Sequence, residues 1–318
     1  MMEKTCDIKR QPLLQVEHLR QYFPISRRHV VRAVEDVSFS VYPGETYGLV
    51  GESGSGKSTI GRTVIRLYRP TAGRILFDGK DISGAMDART ENDLRVQMQM
   101  IFQDPMACLN PRKKVGDIVA QGLDIHHMYA SAGERAEKVA RILRKVGLAP
   151  EYASRFPHQF SGGQRQRIGI ARALVMQPKL IIADECISAL DVSVQAQVIN
   201  LMKEIQQETG NAYLFIAHDL SMVRYLSHRI GVLHMGYLVE SGTAEEIFEQ
   251  PVHPYTRSLL SAIPQPDPRA ERRRKVLQYD YQTSGMDYQQ GHCHKIGESH
   301  WVLATQEEYE MWMRQCSV

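Results

Sequence analysis

The sequence predicts an α/β fold: a parallel sheet with helices on its faces, an antiparallel β subdomain near the N-terminus, an inserted helical subdomain and a small C-terminal extension. Three observations carry this expectation. A short apolar run at 47–50 feeds the glycine-rich stretch GESGSGKST at 51–59 and then a helical pattern, the strand–loop–helix order of a phosphate-loop NTPase core. From 180 onward, apolar runs of strand length alternate with an amphipathic segment, as parallel α/β units do. Between these two regions, at about 106–174, the pattern is helical.

The elements can be justified in chain order. Val37, Phe39 and Val41 alternate with Ser38 and Ser40 before Pro43 and Gly44, and a second short strand at 75–77 runs into Asp78 and Gly79; both argue for antiparallel β structure. The helix after the glycine loop is expected over 58–67, with Pro70 stopping it. Ser131 and Glu134 have capping-box spacing, Val139, Ile142, Leu143 and Val146 share one helical face, and Gly147 sits where a C-terminal cap belongs. A strand at 180–183, a helix carrying Val198, Leu201, Met202 and Ile205, and a strand at 213–217 follow. Thr243 with Glu246 opens a short helix that Pro251 closes. After Pro264 the composition turns to PQPDP, a basic run at 272–275 and a Tyr/Gln-rich stretch, read as a surface linker over 264–290. The last part, 292–318, is too short to bury its own core and is expected to lean on the main domain or on a partner.

Composition narrows the function. At 318 residues and 43% hydrophobic, the chain can bury a full core. Its net charge of +3, from 39 basic and 36 acidic residues, gives no indication of nucleic acid as a partner. No apolar run reaches the roughly 18 residues needed to span a bilayer, and the first residues, MMEKTCDIKRQ, hold no apolar segment of signal-peptide length, so export is not expected. Cys6, Cys108, Cys186, Cys293 and Cys316 lack CxxC spacing and read as free thiols.

The chemistry lies in three segments. In the loop, backbone N–H groups of Gly51, Ser53, Gly54, Ser55, Gly56 and Thr59, with the helix N-terminus behind them, can surround β- and γ-phosphates. Lys57 adds a positive charge, and the Ser58 hydroxyl can ligate Mg²⁺. LIIADE at 180–185 is an apolar strand delivering two carboxylates at its C-terminal end: Asp184 to hold Mg²⁺ and Glu185 to polarise an attacking water. FSGGQRQRIGIARAL at 160–174 sets Ser161, Gly162 and Gly163 at the start of a basic helix, a second phosphate site. A head-to-tail dimer, in which Ser161 of one subunit meets ATP held by the other's loop, would unite the two sites.

With these motifs in hand, the sequence resembles an ATP-binding-cassette ATPase subunit, and its fold is expected to be of the ABC-cassette type. SGGQ is that family's own signature. The resemblance implies that Gln103, in MIFQDP, senses Mg²⁺ and the transport partner, that Ser188, Ala189, Leu190 and Asp191 form the loop crossing the dimer interface, and that His218, in FIAHDL, contacts the γ-phosphate. It also implies an aromatic residue stacked on adenine: Tyr22, with Phe23 as the alternative. Where the family commonly has proline after the catalytic glutamate, this chain has Cys186.

Within the family, HPYTR at 253–257 with Leu259, Leu260, Ile263 and Pro264 is similar to the C-terminal element of oligopeptide and dipeptide importer ATPases, and YFPI at 22–25 and QDPMACLNPR at 103–112 fit the same subgroup. The resulting division is an ABC ATPase domain at 12–250 with its helical subdomain at about 106–174, the peptide-importer element at 251–268, and a linker and tail at 269–318, the tail being dispensable for hydrolysis. Some relatives hold an iron–sulfur centre in a C-terminal cysteine cluster; Cys293 and Cys316 are too few for one, and His292, Cys293 and His294 with His300 read as an ordinary polar tail rather than a transition-metal site. The resemblance implies ATP and Mg²⁺ as cofactors, a second ABC ATPase subunit in a heterodimer, two transmembrane permease subunits, an indirect extracytoplasmic peptide-binding protein, and a peripheral place on the cytoplasmic face of the cell membrane. The alternatives are a nickel or other small-solute importer and, from another class, a soluble cassette protein acting on nucleic acid or the ribosome. The single cassette, with no heptad run between Lys57 and Asp184, argues against the latter, and the lack of an NKxD motif argues against a GTPase.

Overall fold

Residues 11–26, 29–188, 190–264, 271 and 274–316 are described in the computed structural model. The N-terminal arm is a long hairpin, β1 (Leu14–Ser26) against β2 (His29–Val41), with antiparallel register from Leu14↔Val41 to Ser26↔His29. The predicted alternation holds here: Val37 and Val41 are fully buried, and Phe39 nearly so, while Ser38 is exposed. β3 (Thr46–Val50) is buried along its whole length and leads into the glycine loop and helix α1 (Lys57–Val64). That helix stops short of the expected Leu67, because Arg66 adopts a left-handed backbone with φ 67° ahead of Pro70. β4 (Ala72–Phe77) and β5 (Lys80–Asp81) complete the antiparallel side, and α2 (Ala88–Gln97) then passes into β6 (Met98–Ile101).

A helical stretch follows: α3 (Pro105–Cys108), α4 (Val115–Ile125), α5 (Ala132–Lys145) and α6 (Gly162–Leu174). On α5, Val139, Ile142 and Leu143 are buried as one face, and Gly147 takes φ 72° just beyond its end. The expected capping box at its start is only half made. Ser131 Oγ accepts from the Glu134 N–H, but the Glu134 carboxylate reaches past Ser131 to accept from the Ala130 N–H at 2.6 Å.

The chain then returns to the sheet. β7 (Leu180–Asp184), α7 (Val192–Thr209), β8 (Ala212–Ala217), α8 (Leu220–Leu226), β9 (Arg229–His234), β10 (Tyr237–Thr243) and α9 (Ala244–Glu249) follow in order. β6, β7, β8 and β3 pair in parallel, and β3 continues in parallel to β9. β10 turns back on β9 and touches β2 at Tyr237↔Asp36, joining the two halves into a sheet of 12 strands among the described residues. Two apolar layers cover it. One packs α4–α7 against the β7 and β8 side; the other packs the hairpin and α1 against β3 and β8. The Thr243–Glu246 capping box of α9 is fully formed.

Beyond α9, α10 (Pro254–Ser261) is followed by strands β11 (His292–Lys295) and β12 (Trp301–Ala304), which pair with each other, and by a final helix at Gln306–Cys316. β12 adds to β10 at Glu240↔Val302, so the tail leans on the main sheet. The surface-linker reading of 264–290 is corrected over its described part. Tyr288 is 5% exposed, and Tyr279, Tyr281 and Met286 pack on the larger core, because their side chains find an apolar niche beside α10. Residues 265–270 and 272–273, which include most of PQPDP and the start of the basic run, lie outside the described residues.

Candidate nucleotide site

The glycine loop is squeezed between two neighbouring backbones. At Gly51 (φ 150°) a Cβ would fall 2.0 Å from the Leu233 carbonyl oxygen, and at Gly56 (φ 107°) one would fall 2.3 Å from that of Ala33, so glycine is required at both ends of the loop. The loop is tied further by Gly236 N–H donating to the Ser55 carbonyl at 3.0 Å. Ser53 and Gly54 stand exposed at its tip, Thr59 follows in α1, and the Ser55 hydroxyl is buried with no hydrogen-bond partner among the described residues. Lys57 is 3% exposed and donates to the carbonyls of Gly51 and Glu52 at 2.8 and 2.7 Å. Burial lowers its ammonium pKa, with Glu185 and Asp184 pulling the other way.

β7 brings its carboxylates to the same sheet edge. Ser58 Oγ donates to Asp184 Oδ1 at 2.6 Å, and Arg62 lies 3.7 Å from Asp184 Oδ2. Desolvation raises the pKa of the Asp184 carboxyl, while the Ser58 hydrogen bond and Arg62 oppose that rise. Glu185 leaves the strand in a left-handed conformation, φ 45°, costing roughly 1 kcal/mol or more in a non-glycine residue. Its N–H donates to the Ile216 carbonyl, and its own carbonyl accepts from the Ser188 hydroxyl at 2.9 Å. These bonds hold the turn without proline. Cys186 is buried beneath it, its thiol pushed up to about 12 by burial. Gln103 Nε2 donates to Glu185 Oε2 at 2.9 Å, and His218 Nδ1, beyond the end of β8, lies 3.8 Å from the same oxygen.

Ser161, Gly163 and Asp191 form a separate group. Ser161 caps α6 in a reciprocal pair with Gln164, and a Cβ on Gly163 would fall 2.4 Å from Val194, so the α6 start abuts the first turn of α7, which Asp191 precedes. Among the described residues, no hydrogen bond joins these three to the phosphate loop. Ala189, between Ser188 and Leu190, lies outside the described residues. Tyr22, on the hairpin, is linked to the loop through intermediates: its hydroxyl donates to Glu35 at 2.7 Å, Glu35 N–H donates to the Gly236 carbonyl, and Gly236 N–H donates to the Ser55 carbonyl. Phe23 packs edge-on against Tyr68.

Sequence reading missed two participants. Arg62, one helical turn after Ser58, carried no motif. Tyr255 was visible in HPYTR, but nothing local showed that its hydroxyl accepts from the Glu52 N–H of the loop at 2.9 Å. Among the described residues, no group of three or more His, Cys, Asp and Glu side chains is placed to hold a metal ion. In the tail, His300 is bound to Glu240 and His294 to the Ala304 carbonyl.

The sequence family described as ABC transporter matches residues 34–188, and that described as oligopeptide/dipeptide transporter, C-terminal region, matches residues 239–291. The oligopeptide transport ATP-binding protein OppF of Bacillus subtilis is 54% identical over 94% of this chain and 98% of its own. The chain belongs to the ABC transporter family. It is an ATPase subunit of that family, with the cassette fold. The dipeptide transport ATP-binding protein DppF of Lactococcus lactis is 49% identical, over 96% of this ABC subunit and 98% of its own chain. Among solved structures, the CbiO1 cassette of Clostridium perfringens superposes with a TM-score of 0.66 at 27% identity, over 75% of this chain and 91% of its own. A dimeric ATP-binding cassette in a post-hydrolysis state, bound to ADP and Pi, matches with the same score and identity over 73% and 98%.

Proposed function

We propose that this ABC subunit hydrolyses Mg-ATP to drive import of oligopeptides or dipeptides through a membrane permease complex. The observation that carries the reading is the convergence at one sheet edge of the Ser58–Asp184 pair with the Glu185–Gln103 pair, 3.8 Å from His218. The peptide class is supported by the HPYTR element inside the 239–291 match and by the relatives' names.

Hard oxygen donors fit Mg²⁺: Ser58 and Asp184 would hold it, with Gln103 completing the set. Bound there, the ion would neutralise charge developing on the transferred phosphate. The loop amides from Gly51 to Thr59, with the Lys57 ammonium, would receive the phosphates, and Tyr22 would stack on adenine. Glu185 would accept hydrogen bonds from, and orient, the attacking water, with His218 directed to the γ-phosphate. Ser161, Gly163 and Asp191 would complete the site of a second ABC ATPase subunit, in a heterodimer. Two transmembrane permease subunits and, indirectly, an extracytoplasmic peptide-binding protein complete the assembly, with this chain peripheral on the cytoplasmic face and without nucleic acid. We assign 12–250 to the ATPase domain, 106–174 to its helical subdomain, 251–268 to the importer element and 269–318 to the tail.

Glu185→Gln is expected to retain ATP binding, lose most turnover and accumulate as an ATP-bound dimer. Wild-type turnover in that variant, measured by phosphate release, would remove Glu185 from catalysis. In cells, deletion of this subunit should abolish uptake of labelled peptide.

A further inference from the structure

The C-terminal element reaches the phosphate loop through one hydroxyl. Tyr255 lies in the first turn of α10, its side chain 1% exposed and its ring 4.0 Å from that of His234. Two buried contacts fix the start of that helix. The His253 ring accepts from the Tyr255 N–H at 3.1 Å, and the fully buried Glu240 carboxylate accepts from the N–H groups of Val252 and His253 at 2.8 and 3.0 Å. From this anchorage the Tyr255 hydroxyl accepts from the Glu52 N–H at 2.9 Å. Glu52 is the second residue of the loop, and its carbonyl accepts both the Lys57 ammonium and the Ser55 N–H. One face of this residue is therefore held from α10, while the other aims the lysine.

We propose that Tyr255 is a positioning residue for the phosphate loop: by binding the Glu52 amide it fixes the residue whose carbonyl holds the Lys57 ammonium, so the C-terminal element sets nucleotide affinity. The proposal rests on the ATPase reading and deepens it. A loop that must find this geometry only on binding would lose affinity in proportion to the fraction of time spent elsewhere.

Tyr255→Phe removes a single oxygen from a packed site. In the full chain, affinity for a fluorescent ATP analogue should fall 3- to 30-fold and KM for ATP should rise by the same factor, with kcat changed less than two-fold. Without nucleotide, amide deuterium uptake over residues 50–56 should quicken at least three-fold. The neighbouring Thr256→Val, isosteric and equally buried, should leave all three unchanged; an equal loss there would mean general loosening and overturn the proposal. Unchanged affinity and exchange in Tyr255→Phe would also overturn it. A wild type that neither binds nor hydrolyses ATP would instead defeat the ATPase reading, while the exchange comparison would still decide whether Tyr255 holds the loop.

Discussion

Lys57 illustrates how a residue can be placed by motif and yet be characterised by its surroundings. Its ammonium is nearly buried, with two loop carbonyls as acceptors and two carboxylates nearby. Its replacement by alanine removes a charge-assisted contact worth about 1.5–3 kcal/mol, so Lys57→Ala should weaken ATP binding by roughly 10- to 100-fold, measured by equilibrium binding of a labelled nucleotide. His234 belongs to no sequence motif, and its surroundings decide its titration. Burial lowers its pKa from 6.5 to about 4, and that of His253 to about 3. Each stays neutral when folded, so as pH falls below 6.5 the unfolded chain takes up protons that the folded chain refuses. Stability is therefore full above pH 6.5 and declines towards pH 4, at up to about 1.4 kcal/mol per pH unit and per group. Urea midpoints at pH 7 and pH 5 should show this loss, and His234→Gln should reduce the pH-dependent part by about 1–2 kcal/mol, whatever its effect on absolute stability.

At the scale of elements, β10 and α10 owe their relation to one carboxylate. Glu240, with no exposed surface, accepts from two N–H groups at the entry to α10 and faces His300 Nε2 at 2.8 Å. Its removal would orphan three buried donors, so Glu240→Ala should cost about 3–5 kcal/mol in chemical denaturation. The tail is bound to the same place. Trp312 is 1% exposed and lies edge-on to His253, while Val302 extends the sheet beside Glu240. The expectation that residues beyond Pro268 are dispensable concerned hydrolysis; for stability, this packing makes the tail count. Truncation after Arg269 should lower the melting temperature by several degrees, and Trp312→Ala in the full-length chain, expected to cost about 3–5 kcal/mol, checks the same point independently. An unchanged melting temperature in both would return the tail to the status of an appendage.

At the scale of the whole molecule, the candidate residues fall into two groups. Lys57, Ser58, Gln103, Asp184, Glu185 and His218 gather at one edge, whereas Ser161, Gly163 and Asp191 stand together at the facing starts of α6 and α7. We expect two composite sites in a head-to-tail pair. Mixing a Ser161→Arg subunit with a partner disabled in its own phosphate loop should damage one composite site twice and spare the other, leaving about half of the paired activity. Loss of both sites in that mixture, read by ATPase rate and by nucleotide occupancy, would contradict the arrangement.

The sequence by itself determined the local chemistry. The glycine loop, the acidic strand end and SGGQ could be read because each is a short run whose residue types and spacing are demanded by backbone geometry and phosphate charge. The strands at 47–50, 180–183 and 213–217 were legible for a related reason: central parallel strands are buried on both faces and read as unbroken apolar runs. The tertiary structure decided what depends on partners distant in the chain. β1, β10 and β12 are strands because other strands accept their hydrogen bonds, and their own mixed sequences do not announce it. Tyr279, Tyr281 and Tyr288 looked like linker residues until α10 supplied an apolar niche for their rings. The bond from Glu52 to Tyr255 spans 203 positions. No local pattern encodes such a contact, because both groups satisfy ordinary local rules and only the packing of α10 against the loop brings them within hydrogen-bond distance.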